Sequence, residues 1–349
     1  MAPILGMKIV QFATFLVSLI LTYHVVILVE GMVLTKEEEL NIERQLNILN
    51  KSPVKTMHAQ WGDTYDCIEF QKQPAFDHPL LKDHKIQINE ELDFTNSLEM
   101  LTNRLDGCPK GTVPIRRTTR EDLMTAKLSS NSIGDQYRAG VSYGAKPGET
   151  IYGISGEVNV WNPHVNPQIY GDNVTHGFAY WTTDNGKNTG CYNTLCPGFI
   201  QVHREYTPDM PFDETSKIGG DQIYFTLQIT LDILEGKWWL TLQDNIRVGY
   251  WPVKLFPAFS PGAASAFWGG CVKSGSDGMS PSMCSGQPIT KHAADACIIN
   301  NFRYVNMSNY YLEPENTEYT IDCWKHYNAI LYPGQNIVQF GGSGGANCK

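Results

Sequence analysis

The stretch Tyr180–Val202, YWTTDNGKNTGCYNTLCPGFIQV, decides the fold class of this chain. Two apolar-aromatic runs flank a polar turn at residues 184–186, and Asp-Asn-Gly clusters in that setting favour hairpin turns. Cys191 and Cys196 follow with four residues between them, a spacing that closes a small disulfide loop in an oxidising compartment. The stretch therefore predicts a rigid corner on a β framework, with further strands packed beside it.

The clearest strand lies downstream of that corner. Apolar residues occupy every second position from Ile223 to Ile233, a period that indicates one buried and one solvated face. A turn at residues 235–237, a return over 238–242 and a third run over 246–251 complete a meander. No long helix is predicted in residues 137–349, so we expect a mainly β fold with two antiparallel sheets packed face to face.

Composition excludes several classes of partner. The chain has 349 residues, is 42% hydrophobic and carries a formal charge of −9. It has no basic run, so nucleic acid and anionic lipid are not expected partners. The histidines are scattered without metal-ligand spacing, and no metal or cofactor is expected.

The N-terminus predicts secretion. Residues 8–31 begin with one lysine and continue apolar, which is typical of a cleaved secretory signal over residues 1–31. The alternative is an uncleaved membrane anchor, which Gln11 and His24 disfavour. We therefore expect an extracellular protein without stable membrane association after cleavage. Asn50, Asn173 and Asn306 stand in glycosylation sequons, and Pro53 lowers the expected use of the first.

Residues 34–50 read as one amphipathic helix that begins with a capping box, Thr35 and Glu38. Beyond it, residues 116–136 are polar and weakly patterned, and we interpret them as a linker open to proteolytic processing. Asp77 and His78 suggest a metal or catalytic pair. A Pro-bounded surface loop is favoured instead, because no third ligand stands at useful spacing.

The chain has nine cysteines. Cys67 with Cys108, Cys191 with Cys196, and Cys323 with Cys348 are the expected bridges. Cys271, Cys284 and Cys297 remain, and the odd total leaves at least one thiol free or intermolecular.

Several long blocks resemble the plant neprosin family. They are KQPAFDHPLL (72–81), CPKGTVPIRR (108–117), NVWNP (159–163), TGCYNTLCPGFIQV (189–202), VGYWP (248–252) and WGG (268–270). The resemblance implies a secreted zymogen with a small α+β pro-domain over residues 32–130, which is then the chain's own partner. It implies an antiparallel β-sandwich over residues 131–349. Active members of the family are glutamic endopeptidases that cleave after proline at acid pH.

The resemblance also implies two catalytic glutamates, one as general base and one as proton source. In this chain the strand that carries the first glutamate is missing between NVWNP and the YGDN block (170–173). The position of the second, directly after Trp-Gly-Gly, holds Cys271. No catalytic residue is therefore expected to be intact. Glu157, Asp184 and Asp232 are interpreted as solvated surface carboxylates rather than substitutes.

Cys271 has two further interpretations. One makes it a nucleophile with His292 as base. The other pairs it with Cys284, which stands where the family has a glycine. Among the aromatic residues, Trp268, Tyr180 and Trp181 are the candidates to line a groove for proline-containing peptides.

Three hypotheses follow. The leading one is a neprosin-family protein with impaired catalysis that retains a peptide-binding groove. The second is an active proline-directed acid endopeptidase. The third is a defective chain, because a sandwich that lacks one strand exposes an unpaired edge.

Overall fold

The computed structural model describes residues 35–86, 105–130, 136–163, 174–183, 189–243, 245–259, 261–275, 278–289 and 295–348, without the side chains of 126–130. The expected signal segment, Asn173, Asp184 and His292 lie outside these residues. The chain divides into two compact units, residues 1–47 and 48–349. No described helix is long and apolar enough to span a membrane.

The expected N-terminal helix is present as α1, Lys36–Leu49. Its capping box closes in both directions: the Glu38 N–H donates to Thr35 Oγ1 at 3.2 Å, and the Thr35 N–H donates to Glu38 Oε2 at 3.0 Å. These bonds satisfy two donors that a helix N-terminus leaves open.

A small antiparallel sheet opens the second unit. It contains β1 (Lys55–His58), β2 (Thr64–Glu69) and β3 (Thr112–Arg116) in that order. Short 3₁₀ turns at Phe70–Lys72, Pro74–Asp77 and Pro79–Leu81 follow β2. The interpretation of residues 116–136 as a linker is wrong over most of its length. Arg116 ends β3, Arg120–Ser130 forms helix α2, and Arg116 makes buried ion pairs with Asp63 and Asp122, each at 2.8 Å.

The largest sheet has nine strands. Strands are numbered in chain order, and from one edge to the other the sheet runs β17 (Asn328–Tyr332), β18 (Ile337–Gly341), β14 (Cys297–Val305), β5 (Gly153–Asn159), β9 (Tyr224–Asp232), β10 (Lys237–Leu242), β11 (Ile246–Pro252) and β8 (Ile200–Gln201). β15 (Tyr311–Leu312) pairs with the end of β14. The predicted meander is therefore confirmed as β9, β10 and β11, all antiparallel.

The second layer of the sandwich has three strands, β12 (Ser265–Lys273), β4 (Gln136–Gly144) and β16 (Glu318–Ile321) in spatial order. It packs against the β14, β17 and β18 end of the large sheet. Two-stranded ribbons join β6 (Tyr180–Trp181) to β7 (Cys191–Tyr192) and β13 (Met279–Ser280) to β19 (Gly345–Ala346). Further 3₁₀ turns occupy Val253–Leu255 and Pro257–Phe259.

The two sheets of the sandwich differ in size, and the burial pattern of β9 therefore differs from the predicted one. We expected the apolar face from Ile223 to Ile233 to be buried throughout. Instead Leu227 is 39% and Ile233 50% exposed, while the polar Gln228 is buried. A three-stranded layer cannot cover nine strands, so part of this face stays open. Gln228 is buried because Tyr311 covers it and donates its hydroxyl to Gln228 Oε1 at 2.9 Å.

Four disulfides connect eight of the nine cysteines: Cys67–Cys108, Cys191–Cys196, Cys323–Cys348 and Cys284–Cys297. The first three are the expected pairs. The pairing of Cys271 with Cys284 is wrong, since Cys284 bonds Cys297 and Cys271 is free and exposed. Strand alternation explains the error. Gly270, not Cys271, faces the loop before Cys284, and a Cβ on Gly270 would lie 2.5 Å from Met283 Sδ.

Candidate active site at Cys271

Strand register places Cys271 on the outer face of the three-stranded layer. Cys271 is opposite Arg138 on β4, and Trp268 is opposite Val141. Val141 and Trp268 are buried in the core between the layers, and residues an odd number of positions apart on a strand point to opposite faces. Cys271 therefore points away from the core. It occupies the position at which the resemblance implies the second glutamate.

An ion pair lies beside the thiol. Arg138 Nε is 2.9 Å from Asp322 Oδ2, and the Arg138 backbone N–H donates to the same oxygen at 2.9 Å. Burial acts to raise the pKa of Asp322, but the hydrogen bonds and charge of Arg138 outweigh it and lower that pKa. Asp322 is therefore held as a carboxylate.

The protonation of Cys271 follows from the same neighbours. Although the residue is exposed, the protein around its sulfur removes part of its hydration. This desolvation raises the pKa of the thiol, and Asp322 adds to the rise while Arg138 opposes it. The group is a neutral thiol at neutral pH, a poor nucleophile.

Tyr192 of the Tyr180–Val202 corner lies within electrostatic range of this thiol. The rings of Tyr180 on β6 and Tyr192 on β7 are 4.9 Å apart. The pKa of Tyr192 is raised, first by burial, then by Tyr180 and then by the Cys271 thiol. The corner and Cys271 are separate in the sequence, and the fold places them near enough for their charges to interact.

Trp181 and Tyr180 form one wall of an apolar cavity of about 440 Å³. The Trp181 ring packs edge-on against Phe256 at 5.9 Å. Trp268, the third expected groove residue, lies elsewhere. It is buried against Phe302 at 5.3 Å, and its indole N–H donates to the Ser155 carbonyl at 3.0 Å. Tyr180 and Trp181 are therefore partly open to solvent, whereas Trp268 supports β12 from the core.

The other acidic candidates have local structural partners. Glu157 Oε2 accepts a bond from the Asn300 amide at 3.3 Å, and Asp232 Oδ1 accepts the Glu235 N–H at 3.0 Å in the turn after β9. Asp77 forms an ion pair with Lys51 at 2.5 Å. His78 Nδ1 accepts the Leu80 N–H at 3.2 Å, which caps a 3₁₀ turn. Asp77 and His78 therefore serve separate local contacts.

One described group has ligand atoms close enough to hold a metal ion: Cys323, His326 and Cys348, within 4.8 Å of one another. The two sulfurs are joined in a disulfide, and His326 Nε2 lies 2.7 Å from the Ala346 carbonyl oxygen. The oxidised protein therefore offers no thiolate for a metal here.

Two of the sequons lie in the described part of the chain and differ in their contacts. Asn50 uses its whole amide: Nδ2 donates to the Thr118 carbonyl and Oδ1 accepts the Thr118 N–H, both at 2.9 Å. A glycan on Nδ2 would disturb this pair. Asn306 uses Oδ1 to accept the N–H groups of Ser308 and Tyr310, each at 3.0 Å.

Sequence reasoning missed Arg138 and Asp322. They are 184 positions apart and belong to no motif. Only the pairing of β4 with β12 and β16 brings them beside Cys271. An arginine opposite the position after Trp-Gly-Gly is visible only once the strand register is known.

Fold and site together define a class of protein: an antiparallel β-sandwich preceded by a small, disulfide-bonded N-terminal sheet. Comparison with family models makes the class specific. The model described as Neprosin matches residues 161–343, and the model described as Neprosin activation peptide matches residues 56–150. The chain belongs to the neprosin family, with the activation peptide N-terminal to the neprosin domain.

Proposed function

We propose that this chain is a secreted neprosin-family protein that binds proline-containing peptides without hydrolysing them. The observation that carries the proposal is the Cys271 thiol at the position after Trp-Gly-Gly. Four disulfides support secretion, because such bonds persist in oxidising compartments.

Peptide hydrolysis by two carboxyl groups needs one ionised and one protonated at the same pH. In the described part of the chain, Asp322 is the carboxylate whose charge acts on Cys271. Its pKa is lowered by Arg138, so it resists becoming the proton source. The Cys271 thiol resists losing its proton, because its pKa is raised, and so it does not supply the ionised base. Neither group replaces the missing glutamate pair.

Binding has separate support from the aromatic corner. Tyr180 and Trp181 are partly exposed on β6, and the pair β6–β7 holds them in place through the Cys191–Cys196 loop. Flat aromatic surfaces are the usual docking partners of proline rings.

A labelled proline-rich peptide tests both halves of the proposal. Fluorescence anisotropy at pH 4 and pH 7 reports binding, and mass spectrometry of the same samples reports cleavage. We expect saturable binding without fragments. Trp181→Ala should weaken binding by about tenfold, as loss of a contacting aromatic does, whereas Trp324→Ala, at an exposed position in another part of the chain, should leave it unchanged.

The two halves fail separately. Fragments that end in proline would overturn the non-hydrolytic assignment. Equal binding by wild type and Trp181→Ala would overturn the assignment of the binding surface.

A further inference from the structure

The sequon at Asn306 lies in a tight turn between β14 and β15. The Asn306 N–H donates to the Tyr310 carbonyl at 3.1 Å, and the Asn309 N–H donates to the Asn306 carbonyl at 2.9 Å. On the side chain, Oδ1 accepts the N–H groups of Ser308 and Tyr310, each at 3.0 Å. Asparagine side chains often close turns in this way. Both backbone groups and the side-chain oxygen of Asn306 therefore hold the turn.

The remaining polar group, Nδ2 of Asn306, is the nitrogen that a glycan modifies. Among the described residues Nδ2 has no hydrogen-bond partner, and it is not buried. Asn50 differs, because its Nδ2 donates to the Thr118 carbonyl at 2.9 Å. A sugar bonded to that nitrogen would crowd the contact with Thr118, whereas a sugar on Asn306 would leave the turn intact. The fold therefore accommodates a glycan better at Asn306.

The residues that follow Asn306 expose a run of apolar surface. Met307 is 71% and Tyr310 66% exposed, and Tyr311 and Leu312 of β15 are each more than a third exposed. Within the described part of the chain β15 pairs with β14 alone, so its other edge has no partner strand. Open edges with apolar side chains tend to associate with other chains. A cover over this segment would therefore protect the protein from aggregation.

We propose that Asn306 carries an N-linked glycan that covers this apolar edge. In the transfer, Nδ2 loses one proton and bonds to the anomeric carbon of a lipid-linked oligosaccharide, and the lipid diphosphate leaves. The glycan is bulky and hydrated, and it is attached directly before Met307. The inference rests on the secretion part of the proposed function, because this transfer takes place in the secretory pathway. It rests neither on peptide binding nor on Cys271.

Site-resolved mass spectrometry tests the modification. The full chain is expressed in mammalian cells, collected from the medium and treated with peptide-N-glycosidase F in heavy-oxygen water, which converts each glycosylated asparagine to labelled aspartate. We expect the label at Asn306 and not at Asn50. Ser308→Ala removes the sequon but keeps the N–H that bonds to Oδ1, so it should lose one glycan. Ser52→Ala, the matched change in the Asn50 sequon, should lose none.

Aggregation during heating tests the covering role. Light scattering reports aggregation, and circular dichroism of the same samples reports unfolding. We expect Ser308→Ala to aggregate at a lower temperature than wild type with an unchanged unfolding midpoint, because the bonds of the turn are kept. Adding Tyr310→Ser should raise the aggregation temperature again. Adding Trp324→Ser, at a ring that is 65% exposed in another part of the chain, should not.

The possible failures are distinguishable. A secreted chain without label at Asn306 would overturn the inference and leave secretion intact. A chain retained in the cell without sugar would overturn both the glycan and the secretion part of the proposed function. Equal aggregation temperatures of wild type and Ser308→Ala would reject the covering role, and a label at Asn50 would contradict the argument from side-chain contacts. Peptide binding and cleavage are measured separately and do not depend on these results.

Discussion

Arg138 and Asp322 act in opposite directions on the Cys271 thiol, and this residue-scale balance decides what the position can do. The arginine lowers the pKa of the thiol, and burial and the aspartate raise it. Because Arg138 and Asp322 are bonded to each other at 2.9 Å, their charges largely cancel at the sulfur. Desolvation then leaves a protonated thiol.

The reactivity of Cys271 should therefore follow its two charged neighbours. Asp322→Asn leaves Arg138 uncompensated and should lower the pKa of the thiol, whereas Arg138→Gln leaves Asp322 uncompensated and should raise it. The pH dependence of iodoacetamide alkylation measures both shifts, with Cys271→Ser as the blank. Shifts in the same direction in both variants would contradict the assignment.

His203 is a second residue whose protonation matters, since it is buried and its Nδ1 accepts two backbone N–H groups. Its Nδ1 accepts the N–H groups of Glu205 and Tyr206 at 3.0 and 3.1 Å. Burial, with the charge of Arg204, lowers the pKa of His203 from 6.5 to about 3. The unfolded chain then binds a proton that the folded chain does not, so folding stability falls as pH drops from 6.5 towards 3.

His203→Asn keeps an oxygen acceptor for the two N–H groups and removes the titration. Between pH 6.5 and 4, the free energy of unfolding should fall less steeply in this variant than in wild type, by up to about 1.4 kcal/mol per pH unit. Urea unfolding at several pH values measures the slopes. Equal slopes in the two proteins would show that His203 does not contribute.

At the scale of elements, a glutamine side chain completes an edge of the large sheet. β8 is the last strand in the order, and Gln73 lies beside it in the turn after β2. Its Nε2 donates to the Gln201 carbonyl and its Oε1 accepts the Gln201 N–H, both at 2.9 Å. The side-chain amide thus bonds as a neighbouring strand would, and it protects the edge from further pairing.

Gln73→Ala should lower the free energy of unfolding by about 2–4 kcal/mol, because it leaves two buried backbone groups without partners. Lys72→Ala is the matched control. Its ion pair with Glu69 is exposed at both ends, so its loss should cost at most about 0.5 kcal/mol. Chemical denaturation of both variants gives the comparison, and equal losses would refute the edge-capping role.

Much at this scale was predictable from the sequence. Strict alternation gave the meander β9–β10–β11, the capping box gave α1, and cysteine spacing gave three bridges. The sequence could not show that the Gln73 side chain bonds to an edge strand 128 positions away, since no local pattern marks that contact. The prediction for residues 116–136 was wrong, because charged residues suggest exposure to solvent. The sequence does not show that such residues have charged partners, as Arg116 has in Asp63.

At the scale of the whole molecule, the activation-peptide region belongs to the same compact unit as the sandwich. Tyr65, Cys67 and Cys108 share a core with Ile200 and Tyr250. The Cys108 N–H donates to the Arg204 carbonyl at 2.9 Å, and Arg204 Nε donates to the Cys108 carbonyl at 2.7 Å. His84 Nε2 lies 2.9 Å from the Tyr250 hydroxyl. These contacts are non-covalent and extensive.

Cleavage between residues 131 and 135 should therefore leave the two pieces associated. A specific protease site inserted there, followed by gel filtration at pH 7, should give one peak that contains both fragments. Gln73→Ala combined with Arg204→Ala should promote their separation, because it removes bonds that join them. Complete separation of the nicked wild-type protein would contradict the shared core.

Peptide hydrolysis measures the central claim most directly. The full chain and the nicked chain are incubated with a proline-containing peptide from pH 3 to pH 7, beside an active family member, and fragments are counted by mass spectrometry. A chain with a thiol at position 271 and Asp322 held as a carboxylate should release no fragments above the rate without protein, and Cys271→Glu alone should not restore release. Sustained cleavage after proline by the wild-type chain would contradict the account.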